Sequence, residues 1–112
     1  MKILILGDVM GASGRKAVKD NLSNIIKDYE INFTIINGEN AADDGRGITK
    51  LIAEEFFEQG VDVITSGNHI WDKKEIVPYI NNSDKLLRPL NMVEGTPGIG
   101  ITILETAFGK IG

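Results

Sequence analysis

Three short apolar runs, each closed by a polar or glycine-rich turn, constrain this 112-residue chain more than any other feature. They span residues 2–6, 31–36 and 61–65. The first, Ile3-Leu4-Ile5-Leu6, is apolar without alternation, as a parallel strand buried on both faces requires. In the second, β-branched Thr34, Ile35 and Ile36 favour a strand. The segments between the runs have helical spacing. Val18, Leu22, Ile25, Ile26 and Tyr29 recur at intervals of three and four, which predicts a first helix ending at about Tyr29. Thr49 is placed to cap a second helix, with Ile52 and Phe56 on its apolar side and Gly60 as its stop. Asp72 fits the N-cap of a third helix, with Glu75 completing an approximate capping box and Trp71 and Ile76 at the staple positions. Pro78 inside that helix predicts a kink or a short first segment. Residues 81–100 are rich in turn signals. Residues 99–106 alternate well enough to predict a fourth substantial strand, and Gly109-Lys110 reads as the tip of a hairpin whose returning strand is missing.

The order strand–helix–strand–helix–strand–helix–strand predicts an α/β fold with a mostly parallel sheet, flanking helices and right-handed crossovers, in a single domain over residues 1–112. In such a sheet the strand C-termini share one edge, and ligands bind there. Three polar clusters follow the three runs: Asp8, then Glu39-Asn40, then Asn68-His69. His69 is the only histidine of the chain, and Trp71, close by, is the only tryptophan.

Composition narrows the classes of function. The absence of cysteine excludes disulfides and thiolate metal sites and agrees with a cytoplasmic location. No apolar run approaches the ~18 residues of a membrane span. The basic-then-apolar N-terminus reads as a strand, because Asp8 interrupts it and no small-residue cleavage site follows. A net charge of −4, with basic residues scattered among acids, argues against duplex nucleic acid as a partner. A small phosphodiester or nucleotide remains compatible, because a metal site can supply positive charge. Gly7, Gly11 and Gly14 match neither a P-loop nor a Gly-x-Gly-x-x-Gly fingerprint. Ser13 and Gly14 nevertheless put backbone amides at a helix start near Asp8, where a phosphate oxygen is favoured.

Two carboxylates, two amides and one imidazole make a hard-to-borderline donor set, suited to Mn, Fe, Mg or Zn. A carboxylate such as Glu39 can bridge two ions that activate water for phosphoryl displacement. An imidazole beside them can protonate a leaving oxygen. Each residue also has a plainer role. Asp8 after Gly7 can serve turn chemistry, and Asn37-Gly38 is a common turn dipeptide. A loop histidine can be a structural hydrogen-bonder. Trp71 can be core, and Glu54, Glu55 and Glu58 can be a solvated helix face. Residue chemistry alone leaves both sets of roles open.

Taken together, Gly7-Asp8-Val9-Met10-Gly11 with Gly14-Arg15, Asn37-Gly38-Glu39-Asn40-Ala41-Ala42 and Thr65-Ser66-Gly67-Asn68-His69-Ile70-Trp71-Asp72 resemble the calcineurin-like metallophosphoesterases, specifically their YmdB-like branch. Arg88-Pro89 with Asn91, and Glu94-Gly95-Thr96-Pro97-Gly98, resemble it too. The wider superfamily has Asp-x-His in its first motif; here Met10 stands at the histidine position, and the branch lacks that histidine as well. The resemblance implies the N-terminal half of a metallophosphoesterase α/β sandwich and a phosphodiesterase for cyclic nucleotides such as 2′,3′-cyclic AMP. It implies two divalent metal ions, iron or manganese first and magnesium or zinc next. By it, Asp8 and Asn40 would bind one metal, Glu39 would bridge, Asn68 would bind the second, and His69 would act as acid or transition-state stabiliser. Asp43-Asp44 departs from the smaller residues expected in that loop. No histidine follows His69, whereas the branch takes further metal histidines from its C-terminal half. The domain is therefore expected to be incomplete, with weak or single-metal binding: a truncated reading frame, a fragment, or a protein completed by a homo-oligomer or a complementing C-terminal half. A non-catalytic half-domain that binds a nucleotide or a protein is the alternative.

Overall fold

The computed structural model describes residues 1–112. Strand β1 (Ile3–Leu6) leads to helix α1 (Gly11–Tyr29), strand β2 (Phe33–Asn37), helix α2 (Lys50–Glu58) and strand β3 (Val63–Thr65). A single 3₁₀ turn (Asn68–Trp71) and the short helix α3 (Ile76–Ile80) follow, and strands β4 (Leu104–Thr106) and β5 (Gly109–Ile111) close the chain. The order β1-β2-β3 forms a parallel sheet, and β4-β5 is a separate antiparallel hairpin. The predicted α/β class is therefore the observed one.

Register divides the sheet into two faces. Leu6, Ile36 and Ile64 are partners across the three strands, and Leu4 pairs with Thr34 beside them. This face carries the main core, where Ile36 and Ile64 pack with Val18 and Leu22 of α1, Ile52 and Phe56 of α2, and the buried Ile48, Ile70, Ile76 and Ile80. The opposite face carries Ile3, Ile5, Phe33, Ile35 and Val63. Burying each large aliphatic or aromatic side chain of the core stabilises the fold by ~1.5–3 kcal/mol before entropy is counted.

Several boundaries differ from expectation, each for a local reason. The second strand starts at Phe33, not Ile31, because the Ile31 amide donates to Ile26 O (2.9 Å) and so belongs to the C-terminal cap of α1. Glu30 makes that cap with a left-handed backbone, φ 54°. Thr49 caps α2 as expected, accepting from the Ile52 amide at 3.2 Å. Gly60 then turns the chain with φ 100°.

Asp72 does not start a helix. It already has helical φ and ψ at the end of the 3₁₀ turn, where its amide donates to His69 O at 2.9 Å, so its carboxylate is not set to cap later amides. Helix α3 begins at Ile76 with no side-chain cap. Pro78 falls in the first turn of this five-residue helix, so its missing N–H removes no helical hydrogen bond and no kink is needed.

The fourth strand is also shorter than expected and lies elsewhere. Only Leu104–Thr106 is strand, and it pairs with β5 rather than with the parallel sheet. The place beside β3 is taken by residues 85–87, where Ile64 N donates to Lys85 O and Leu87 N to Ile64 O, both at 2.8 Å. Buried Leu86 makes that bridge favourable against the core. The hairpin has its returning strand, β5; its turn is at Ala107-Phe108, and Gly109 (φ 118°) opens the return.

Candidate functional site

Parallel pairing brings the three polar clusters to one edge of the sheet. Asp8 follows β1, Glu39 and Asn40 follow β2, and Asn68 and His69 follow β3. Backbone hydrogen bonds tie the turns together: Val9 N donates to Asn37 O (3.1 Å), Gly11 N to Asn40 O (2.9 Å) and Gly38 N to Thr65 O (3.0 Å). Gly38 lets the β2 turn pass close to the core, since a Cβ there would sit 3.0 Å from Ile64 Cγ2 and 3.1 Å from Ile48 Cδ1.

Side chains join the clusters further. Asn40, only 8% exposed, donates from Nδ2 to Asp8 Oδ1 at 2.8 Å. Its Oδ1 lies 2.6 Å from His69 Nδ1. The order of these contacts fixes proton positions. A carboxylate only accepts, so it turns the Asn40 amide to present NH₂ to Asp8 and the carbonyl to His69. The imidazole must then carry its proton on Nδ1, which leaves Nε2 as the nitrogen free for chemistry.

Glu39 sits beside this chain. Its own amide donates to Asn37 Oδ1 (3.2 Å), and its Oε2 meets the His69 amide at 3.5 Å, a long contact. Gly67 is its floor. A Cβ at residue 67 would overlap the Glu39 carboxylate, although the backbone there (φ −133°, ψ −153°) is open to any residue. Asn68 is exposed and its amide group makes no hydrogen bond. Thus Asp8, Asn40 and His69 are joined directly, Glu39 lies against His69 and Gly67, and Asn68 shares the edge without side-chain contact to the others.

The donor set suits a hard divalent cation in kind: Asp8 and Glu39 supply charge, and Asn40 and Asn68 supply neutral oxygens. Asn40 Oδ1 has two lone pairs and can accept from His69 while facing a cation. The set is sparse, because no three His, Cys, Asp or Glu side chains converge anywhere in the chain.

A second group of charges frames the loop after β2 and is not readable from sequence spacing. Arg15 of α1 donates to Ala41 O and, at 2.6 Å, to Asp43 Oδ1. Lys73, past the 3₁₀ turn, meets Asp44 Oδ2 at 2.6 Å. The unusual acidic pair is therefore taken up in two ion pairs that hold the loop to both neighbouring elements. The Lys73 ammonium keeps the Asp44 carboxyl below its ordinary pKa, chiefly through that hydrogen bond. Arg15 and Asp43 are far apart in sequence, so only the fold reveals the pair. The steric role of Gly67 is equally invisible without the position of Glu39.

Fold and site define a parallel α/β protein with a polar, oxygen-rich edge at its strand C-termini and one oriented imidazole. Residues 4–112 match the family described as YmdB-like protein, and the chain belongs to that family. It is 50% identical over 110 residues to the 2′,3′-cyclic-nucleotide 2′-phosphodiesterase of Bacillus subtilis strain 168, a match covering 98% of this chain and 41% of that protein. A crystal structure of a hypothetical protein from Thermus thermophilus superposes with a TM-score of 0.89 at 39% identity, over 98% of this chain and 42% of that one. A crystal structure of a phosphatase from Mycoplasma pneumoniae also gives 0.89, at 34% identity, over 98% of this chain and 40% of that one. The chain therefore spans about two fifths of the length of the relatives it matches. No helix is long and apolar enough to cross a membrane.

Proposed function

We propose that this chain carries the metal-and-acid edge of a phosphodiesterase for cyclic nucleotides such as 2′,3′-cyclic AMP, working in the cytoplasm. The observation that carries this reading is the Asp8–Asn40–His69 chain of hydrogen bonds at the strand C-termini. It holds the imidazole with Nδ1 engaged and Nε2 free, so that Nε2 can take up a second proton and the resulting imidazolium can give it to a leaving oxygen. Asp8, Glu39, Asn40 and Asn68 would hold the divalent ions, iron or manganese with magnesium or zinc next. When bound, these ions supply Lewis acidity to the phosphoryl oxygens and lower the pKa of the attacking water.

The residues of this chain then divide the remaining work. Asp8 and Glu39 contribute the negative charge that holds cations at the edge. Asn40 positions the imidazole and sets its tautomer. His69, protonated at Nε2, gives that proton to the departing ribose oxygen as the P–O bond of the cyclic ester breaks. Gly67 keeps the space that the Glu39 carboxylate occupies.

The test is hydrolysis of 2′,3′-cyclic AMP and of bis-p-nitrophenyl phosphate with added Mn. Glu39→Gln and His69→Ala are each expected to lower the rate by ~10²-fold or more. Unchanged hydrolysis in both variants would show that the site is elsewhere. The sparse donor set favours a second reading, a non-catalytic half-domain that binds a nucleotide or protein. Calorimetry that finds tight nucleotide binding without metal, in a chain that hydrolyses nothing, would favour it.

A further inference from the structure

The loop after β2, residues 41–47, carries charges that the proposed chemistry leaves unused. It starts one residue past Asn40 and is wedged between the two elements on either side of that asparagine. On one side it abuts the start of α1. There Arg15 donates to Ala41 O and to Asp43 Oδ1, and a Cβ on Gly11 would come within 3.7 Å of Asp43 O. On the other side the loop rests on the 3₁₀ turn that carries His69 and on Lys73 just past it. Lys73 Nζ meets Asp44 Oδ2 at 2.6 Å. A Cβ on Gly47 would lie 2.9 Å from Lys73 Cγ and 3.2 Å from both Lys73 N and His69 O. Gly47 is thus required twice, for that close approach and for its φ of 79°. The loop also closes on itself, with Gly45 N donating to Ala42 O (2.8 Å) and Ala42 N to Gly47 O (2.9 Å).

These contacts form a ring. From Asn40 the backbone runs to Ala42, crosses to Gly47 by a hydrogen bond and reaches His69 O by packing. The ring then returns from the His69 imidazole to Asn40 Oδ1 at 2.6 Å. The Lys73–Asp44 pair spans the same gap from outside. Its cation is the less exposed partner, 28% against 61% for the carboxylate, and its stem lies along Gly47. Such a pair adds little to global stability. Its effect is local, because it restrains the two segments whose separation sets the Asn40–His69 hydrogen bond. We propose that Lys73 is a positioning residue for His69. Paired with Asp44 and packed on Gly47, it holds the 3₁₀ turn at the distance from Asn40 that keeps the imidazole in its Nδ1–H form. Arg15 anchors the far side of the same loop to α1. The inference rests on the phosphodiesterase reading only for the use made of the imidazole; the positioning itself is a property of the fold.

The experiment reads the His69 tautomer by long-range ¹⁵N–¹H correlation in Lys73→Met, which keeps the stem on Gly47 and removes the charge. The ratio of Nε2–H to Nδ1–H forms should rise about threefold or more, as expected for residues coupled in one network. Lys73→Arg should restore the parent ratio. Lys74→Met removes the same charge from an exposed neighbour outside every ion pair, and should leave the ratio unchanged. Asp44→Asn opens the same pair from its exposed side and should reproduce the shift, so it decides if Lys73→Met does not fold. In hydrolysis of 2′,3′-cyclic AMP, Lys73→Met should lower kcat while KM stays within about twofold, since orientation rather than affinity is lost. A tautomer shift in a chain that hydrolyses nothing upholds the positioning and defeats the phosphodiesterase reading. Normal hydrolysis with an unshifted tautomer does the reverse. The proposal is overturned by a parent already in the Nε2–H form, by a ratio unmoved in both Lys73→Met and Asp44→Asn, or by an equal shift in Lys74→Met.

Discussion

Nδ1 of His69 lies 2.6 Å from Oδ1 of Asn40, while Nδ2 of the same amide donates to Asp8. One asparagine therefore links the turns after β1, β2 and β3. Its removal should be felt in both stability and chemistry. Asn40→Ala leaves the imidazole and the carboxylate without their shared partner in a site where Asn40 itself is almost fully buried. The expected cost is about 1–3 kcal/mol in urea unfolding. Hydrolysis should fall at the same time, with a larger effect on kcat than on KM, because orientation of the acid is lost rather than substrate affinity.

Gly67→Ala separates sterics from backbone strain. The conformation at Gly67 is extended and accepts alanine, so the only obstacle is the Glu39 carboxylate beside it. The variant should keep its unfolding free energy within about 1 kcal/mol of the parent, because only the far end of the flexible Glu39 side chain has to move aside. Its affinity for Mn, followed by electron paramagnetic resonance, should drop roughly 10–100-fold, the usual effect of displacing a support of a metal ligand. Unchanged affinity would mean that Glu39 is not a ligand.

Glu30 offers a gain of stability. It caps α1 with φ 54°, a conformation that costs an L-residue about 1–2 kcal/mol and glycine almost nothing. Its ion pair with Lys2, at 3.3 Å, is exposed on both sides and contributes little. Glu30→Gly should therefore stabilise the fold by about 0.5–1 kcal/mol, after allowing for glycine's extra freedom in the unfolded chain. A lower thermal midpoint would contradict this ordering of effects.

Asp44 titrates in its folded setting below the ordinary 3.8, with Lys73 as the main cause. A depressed carboxyl pKa stabilises the fold above the unfolded pKa, and the contribution is lost as pH falls through the folded value. The window is thus below about pH 4, and the exposure of the group keeps the effect small. Lys73→Ala should raise the Asp44 pKa toward 3.8 in a carboxyl-detected titration, and high salt should do so in part.

Much of the fold is legible in the sequence because each apolar run has a single sensible use. Continuous runs mark β1 to β3, and Thr49 and Gly60 mark α2 by chemistry that acts within a few residues. The same locality places Asp8, Glu39, Asn40 and His69 on one edge once the strands are parallel. Sequence reasoning fails where distant contacts decide. Asp72 has the chemistry of a cap, but the chain has already bent into a 3₁₀ turn at His69. The run over 99–106 has the pattern of a sheet strand, but residues 85–87 take the place beside β3. Asn68 groups with the other candidate site residues by position, and nothing local tells that its amide stands apart from the hydrogen-bonded chain.

The most direct measurement is the tautomer of His69 by long-range ¹⁵N–¹H correlation, at a pH where the imidazole is neutral. As the only histidine it gives an unambiguous signal. The orientation imposed by Asp8 through Asn40 predicts the Nδ1–H form in the parent, and its loss in Asn40→Ala. An Nε2–H tautomer in the parent, or one indifferent to Asn40→Ala, would contradict the proposed site.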